Sequence, residues 1–331
     1  MTPPVIEVVA PSRLHFGLAS FGATPAAASA TVGVYGGVGA MIAEPVVRLR
    51  VSPSTRFGVA GRHASRVERF VARCVESFGL RDRPCCRIEV ETAPDEHAGL
   101  GLGTQLGMAI ASGLAAFERR TETPTERLAQ AVGRGARSAV GAHGFRHGGL
   151  LLDAGKRRGE SLGRLAGRVP LPDAWRFVLA RPPESAGLAG VAEAAAFARL
   201  PPPTPEVTAN LWRLAERELM PAAESADFDR FSAALHDYNV AAGECFADVQ
   251  GGPFASEAIA ELISTLRDLG CVGCGQSSWG PTVFALARSA EAAETLRAAI
   301  AAVHGDELRT AIVAPNNHGA TIRTLADKSA G

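Results

Sequence analysis

The chain has 331 residues, enough to bury a sizeable core and to form two packed domains. Its 34 basic and 34 acidic residues cancel to a formal charge of zero with no block of like sign, so it lacks the basic stripe that grips a nucleic-acid backbone or an anionic membrane. The N-terminal MTPPVIEVVAPSRLHF has no basic segment followed by an apolar one, and no apolar run approaches bilayer length, so a cytoplasmic protein with small-molecule partners is expected.

Residues 5–10 (VIEVVA) alternate loosely up to Pro11, and residues 46–51 (VVRLRV) and 86–92 (CRIEVET) alternate clearly, which predicts three strands. Val67, Phe70, Val71, Cys74, Val75 and Phe78 recur at spacings of three and four ahead of Gly79, which predicts an amphipathic helix over 64–79. From Gly103 to Arg119 apolar residues cover most of the helical circumference, so that helix should lie buried. Helix formers continue over 124–140, and the glycine-punctuated 141–155 (GAHGFRHGGLLLDAG) reads as a loop entering a strand. Residues 175–180 (WRFVLA) form a further strand, stopped by Pro182 and Pro183.

Residues 190–199 and 207–247 read as helices separated by RLPPPTPE. Helix 255–269, a glycine-rich 270–281, strand 282–287, helix 289–303 and strand 308–315 then make an α+β tail. A linker near 160–172 divides the chain into 1–165 and 166–331. Six cysteines in a chain this long do not make a secreted disulfide framework, and the lone C-x-x-C of Cys271 and Cys274 has no second pair or histidines at zinc spacing, so reduced thiols are expected.

Ahead of the buried helix, residues 97–107 read HAGLGLGTQLG. A glycine-rich turn at a helix start gathers unpaired N–H groups and the positive end of the helix dipole, with no Cβ to hold an anion away. Glycines equally let helices pack closely, so the stretch alone leaves both roles open. Only Lys156 and Lys328 of the 34 basic residues are lysines. An anionic ligand must therefore be met by arginine forks, backbone N–H groups or hydroxyls, and a Walker-type lysine is absent.

APSRLHFGL at 10–18, the glycine-rich loop and GCGQSSWGP at 273–281 match, in order and spacing, the three motifs of the GHMP kinase superfamily. The chain resembles that superfamily over nearly its whole length. RSAVG-x-x-GF-x-HGG at 137–149, FADVQGGPF at 246–254 and NHGA at 317–320 are similar to its β-ribofuranosylaminobenzene 5′-phosphate synthase branch. The resemblance implies an α+β fold of two domains, the N-terminal one like ribosomal protein S5 and the C-terminal one ferredoxin-like, with the glycine loop in the first.

The implied activity joins phosphoribosyl pyrophosphate to 4-aminobenzoate or 4-hydroxybenzoate, at the ring carbon that loses carboxylate, in tetrahydromethanopterin biosynthesis. Carbon dioxide and pyrophosphate leave, and Mg²⁺ is the expected cofactor. On this resemblance Ser12, His97, Gly99, Gly101, Gly103, Thr104 and Gln105 are expected around phosphate or substrate. Gln276, Ser277, Ser278 and Trp279 join them, Trp279 offering a flat face to an aromatic ring. Arg13 and His15 alternate around Leu14, so on a strand they face one side. With Arg146 and His147 they are the expected catalytic groups, and Asp153 and Glu193 are the candidate magnesium partners.

Two departures stand out. Leu102 occupies a place where the synthase pattern usually has Ser, which removes a hydroxyl. Residues 141–149 offer no carboxylate where many GHMP kinases hold an aspartate base. The rival readings are an ATP-dependent GHMP small-molecule kinase and a non-catalytic homologue that binds a phosphate ligand. Family members can associate, so a homodimer is compatible with the resemblance.

Overall fold

A computed structural model of the chain describes residues 4–22, 33–120, 122–183 and 190–325. Strands β1 (Val5–Leu18) and β2 (Gly37–Pro53) run antiparallel and outlast the alternating stretches that signal them. Over Ala10–Phe16 and Gly37–Ile42 residues on both faces are buried, so the period of two disappears from the sequence. β3 (Gly58–Gly61), α1 (Ala64–Phe78) and β4 (Cys86–Thr92) follow. Gly79 ends α1 in the left-handed conformation at φ 65°.

α2 (Leu102–Phe117) is buried nearly all round, against α1 on one side and β1 and β2 on the other. The single helix expected over 124–140 is instead α3 (Thr125–Ala131), because Gly133 and Gly135 take left-handed φ values of 62° and 77° and turn the chain. The segment read as a loop forms α4 (Val140–His147) before β5 (Leu150–Asp153). Its glycines serve close packing rather than a turn: a Cβ on Gly144 would overlap the Met41 side chain.

β6 (Leu165–Val169) pairs with β5, and β7 (Arg176–Arg181) opens a second sheet. α5 (Gly190–Arg199), α6 (Pro205–Arg213), a π-helical turn (Leu214–Leu219), α7 (Met220–Glu224) and α8 (Phe228–Glu244) come next. The one long helix expected over 207–247 is broken at Ala226, whose φ is 55°, and restarts where Asp227 caps α8 by accepting from Arg230 N at 3.1 Å. α9 (Ala247–Gln250), α10 (Glu257–Asp268), β8 (Cys274–Gln276), β9 (Val283–Ala287), α11 (Ala290–His304), β10 (Arg309–Val313) and β11 (Thr321–Leu325) complete the chain.

The first sheet runs β11-β1-β2-β4-β3, with β5 on β2 and β6 on β5, and the second runs β10-β7-β9-β8. The first sheet thus takes strands from both sides of residue 165. One core fills the space between that sheet and α1–α3. A second joins β1, β2 and β5 to α8 and the second sheet, with Phe231, Tyr238 and Phe284 at its centre. The NHGA motif acts as a clasp here: Asn317 exchanges hydrogen bonds with Leu171 at 2.8 and 2.9 Å, and Asn316 Oδ1 accepts the Gly319 N–H at 2.7 Å. Among the described residues no helix is long and apolar enough to cross a membrane.

Candidate active site

A cavity of about 940 Å³ lies where β1, the glycine loop, the start of α2, α1, α8 and the turn after β8 meet. His97, Gly99 and Gly101 take positive φ values of 59°, 80° and 76°, a left-handed conformation that glycine adopts freely. Gly101 is the N-cap of α2 and supplies no side-chain cap, so the helix presents its N-terminus to the cavity. A Cβ at Gly99 would fall 2.6 Å from Ser277 O, because the loop and the turn after β8 press together there.

Arginines surround this turn. A Cβ on Gly101 would lie 2.9 Å from Arg13 Nε, and one on Gly103 would lie 2.6 Å from Arg66 Nη2 and 3.2 Å from Arg134 Nη2. Arg69, Arg73 and Arg137 also border the cavity. Positive charge from side chains therefore adds to that of the helix N-terminus, which makes this end a receptor for a polyanion. Another part of the cavity is aromatic. Trp279, 7 % exposed, meets Phe246 at 4.9 Å and Phe197 at 5.6 Å between ring centroids, and Arg137 stacks over Phe197 at 5.0 Å.

His15 borders the same cavity. Its backbone N–H donates to Ser277 Oγ at 3.1 Å, its carbonyl accepts from Ser278 N at 2.9 Å, and Ser277 Oγ donates to Gly99 O at 2.9 Å. Its ring Nε2 lies 3.0 Å from Ser138 Oγ. Ser138 Oγ in turn donates to Asp153 Oδ2 at 3.4 Å and accepts the Val140 N–H at 3.2 Å. Burial, reinforced by the Arg13 charge, holds the imidazole well below its usual pKa, so it is neutral.

Of the residues singled out from the sequence, Arg13, His15, His97, Gly99, Gly101, Gly103, Thr104, Gln276, Ser278 and Trp279 border the cavity. Ser12, Gln105 and Ser277 do not, and each is a strut. Ser12 Oγ donates to Pro45 O at 2.6 Å, Gln105 Nε2 to Gly141 O at 2.9 Å, and Ser277 Oγ is held between Gly99 and His15. Gln276 donates from Nε2 to Ser278 O at 2.8 Å within its own turn and accepts at Oε1 from Ala255 N at 2.8 Å. Arg146 and His147 stand exposed in the last turn of α4, away from the cavity, because that segment is a helix rather than a loop facing the cleft. Leu102 packs into the first core at 6 % exposure while also bordering the cavity.

Asp153 is fully buried, with Oδ2 accepting from Ala139 N at 2.6 Å and Oδ1 from Gly155 N at 2.8 Å. Burial pushes its carboxyl up to about 6 despite these donors. Its oxygens are committed inside the protein, so it is a structural anchor and not a magnesium ligand. The Glu193 side chain lies outside the described residues. Among the described residues Asp95 and Glu96 are the carboxylates bordering the cavity, and both are engaged by cations, Asp95 by Arg181 at 2.7 Å and Glu96 by Arg66 at 3.2 Å. Among the described residues no three His, Cys, Asp or Glu side chains group to hold a metal. The six cysteines are free thiols.

Sequence reasoning missed Arg66, Arg134, Arg137, Phe197 and Phe246. The signal for the first was present, since Arg66, Arg69 and Arg73 recur at three and four on the face of α1 opposite its apolar stripe. That pattern is also the ordinary one for a solvated helix face, and only the approach to Gly103 distinguishes it.

Residues 219–305 match the GHMP kinases C terminal family model. The β-ribofuranosylphenol 5′-phosphate synthase of Archaeoglobus fulgidus is 31 % identical, over 96 % of this chain and 99 % of its own. That of Methanothermobacter thermautotrophicus is 26 % identical over 85 % and 89 %. Among solved structures, homoserine kinase from Cytophaga hutchinsonii has a TM-score of 0.68 at 16 % identity, covering 96 % of this chain and 97 % of that one. Phosphomevalonate kinase from Streptococcus pneumoniae has 0.67 at 11 %, covering 97 % and 100 %. These two likenesses establish the fold.

Proposed function

Because the chain belongs to the β-ribofuranosylphenol 5′-phosphate synthases of the GHMP kinase superfamily, we propose that it joins phosphoribosyl pyrophosphate to 4-hydroxybenzoate, releasing carbon dioxide and pyrophosphate. Of 4-aminobenzoate and 4-hydroxybenzoate, both open from the sequence, the relatives' name favours the second. The observation that carries the reading is the division of one cavity into an arginine-and-glycine end and an aromatic end. The first suits the pyrophosphate of the sugar donor and the charge that grows on it as it leaves. The second suits a flat aromatic acid, with Arg137 in reach of its carboxylate.

Holding two substrates edge to edge in one pocket supplies much of the rate by orientation alone. The arginine fork should grip the benzoate loosely, since a strong pairing also stabilises the carboxylate that must depart. Magnesium, on this reading, arrives with the pyrophosphate-bearing substrate, and Arg13, Arg66 and Arg134 supply the protein's share of the positive charge.

The test is to incubate purified protein with phosphoribosyl pyrophosphate, Mg²⁺ and carboxyl-labelled 4-hydroxybenzoate, with ATP in place of the sugar donor as the control. Equal amounts of labelled carbon dioxide and pyrophosphate are expected. ADP formation in the control, with no carbon dioxide from the sugar donor, would replace the reading with a kinase. Binding of the sugar donor without turnover would leave a non-catalytic homologue.

A further inference from the structure

Ser138 Oγ has one proton, and it is directed to Asp153 Oδ2. The same oxygen accepts from Val140 N. In that direction of the bond chain the 3.0 Å contact with His15 is one in which the imidazole donates from Nε2. Nδ1 is left with its lone pair, on a residue that borders the cavity together with Arg13 and Trp279. Asp153, fixed by two backbone N–H groups, sets the direction of the whole chain of bonds.

Resting on the reading of the reaction above, we infer that His15 Nδ1 borrows the hydroxyl proton of a 4-hydroxybenzoate and returns it, and that Ser138 and Asp153 are positioning residues that fix the tautomer. The bonds balance without any further reactant. As the hydroxyl proton moves to Nδ1, the oxygen's electrons flow into the ring and the carbon bearing the carboxylate attacks C1 of the ribose. The C1–O bond breaks, and its electron pair leaves with pyrophosphate. The bond from the ring to the carboxylate then breaks, its pair restores the aromatic ring and carbon dioxide departs. The proton returns from Nδ1 to the phenol oxygen, so none is gained or lost overall.

The geometry suits the loan. Residues two apart on a strand are about 6.6 Å apart, the scale of one benzene ring. Arg13 and His15 share a face of β1 and border the same cavity, so a ring whose hydroxyl meets His15 lies in the cavity that takes the sugar donor. Burial keeps the imidazole neutral, the form that accepts a proton, and also weakens it as a base, so the proton is held only while the ring attacks.

The test compares acids that differ in their need for a base. His15→Gln keeps an amide donor toward Ser138 but has no basic atom. With 4-hydroxybenzoate its kcat/KM should fall by about 10²-fold or more, the usual scale for a lost general base. With 3,5-difluoro-4-hydroxybenzoate, whose hydroxyl is already ionised at neutral pH, and with 4-aminobenzoate, whose nitrogen pushes electrons without losing a proton, the fall should stay within about tenfold. Ser138→Ala, which leaves His15 in place, should show the same ordering with smaller losses, and it serves if His15→Gln does not fold. Equal losses on all three acids would overturn the inference and leave His15 a structural residue. A wild-type protein that releases carbon dioxide from none of them would overturn the reading of the reaction itself, and the inference with it.

Discussion

Replacing Gly103 by alanine should weaken pyrophosphate binding while raising thermal stability, two effects of opposite sign from one methyl group. The new Cβ would fall 2.6 Å from Arg66 Nη2 and 3.2 Å from Arg134 Nη2. The first distance is shorter than a Cβ tolerates, but both neighbours are ends of flexible side chains. The guanidinium groups therefore swing out and the backbone stays. Gly103 sits in the first turn of α2 without a left-handed φ, so alanine suits the helix better by up to about 1 kcal/mol. A displaced guanidinium forfeits a charge-assisted hydrogen bond to phosphate worth about 1.5–3 kcal/mol, which raises Kd by about 10- to 150-fold. Titration calorimetry with pyrophosphate, beside a thermal melt of the same sample, reads both quantities. Unchanged affinity in a variant that melts at or above the wild-type temperature would refute the placement of the anion against Gly103.

Trp279→Leu keeps an apolar plug but removes the flat face, and should weaken 4-hydroxybenzoate binding by about 0.5–1.5 kcal/mol while sparing the sugar donor; equal losses for both ligands would argue against an aromatic end. Leu102→Ser should lower stability by about 2–5 kcal/mol, because a side chain 6 % exposed in the first core is removed, and a melt unchanged from wild type would contradict this. His15 is held neutral in the fold, so below its ordinary value of about 6.5 the unfolded chain binds the extra proton and the stability it contributes is lost as pH falls. Denaturant titrations from pH 7.5 to 5 should therefore show a steeper acid loss for wild type than for His15→Gln, and parallel curves would refute it. Asp153 works in the opposite sense: its carboxyl is raised from 3.8 to about 6, so the fold binds the extra proton between those values. Relative to Asp153→Asn, wild type should gain stability as pH falls from 6 toward 4, and a loss there would contradict it.

Half of the site was legible because its glycines and aromatic residue have few other uses at those spacings. Gly99 and Gly101 do take left-handed backbone, and Arg13 and His15 do share a face of β1. The strand at 86–92 and the helix at 64–79 were readable from clean periods of two and about 3.6, since each has one buried face. Residues 141–147 were misread because glycine marks both turns and close helix packing, and only the neighbour, here Met41, tells them apart. That error carried Arg146 and His147 into the site. Asp153 was misassigned for a related reason: a carboxylate next to a glycine-rich segment looks the same in sequence whether it faces a metal or its own backbone N–H groups. Trp279 was foreseen as a flat face, but its meeting with Phe197 and Phe246 was not, because the three come from distant segments that only the fold brings together.

The most direct test of the account is a crystal structure of the protein with pyrophosphate and 4-hydroxybenzoate bound together. The account predicts pyrophosphate against Gly101 and Gly103 with Arg13, Arg66 and Arg134 around it, and the ring against Trp279 and Phe246 with its hydroxyl at His15 Nδ1. A ring lying among the arginines, or pyrophosphate outside the cavity, would contradict it.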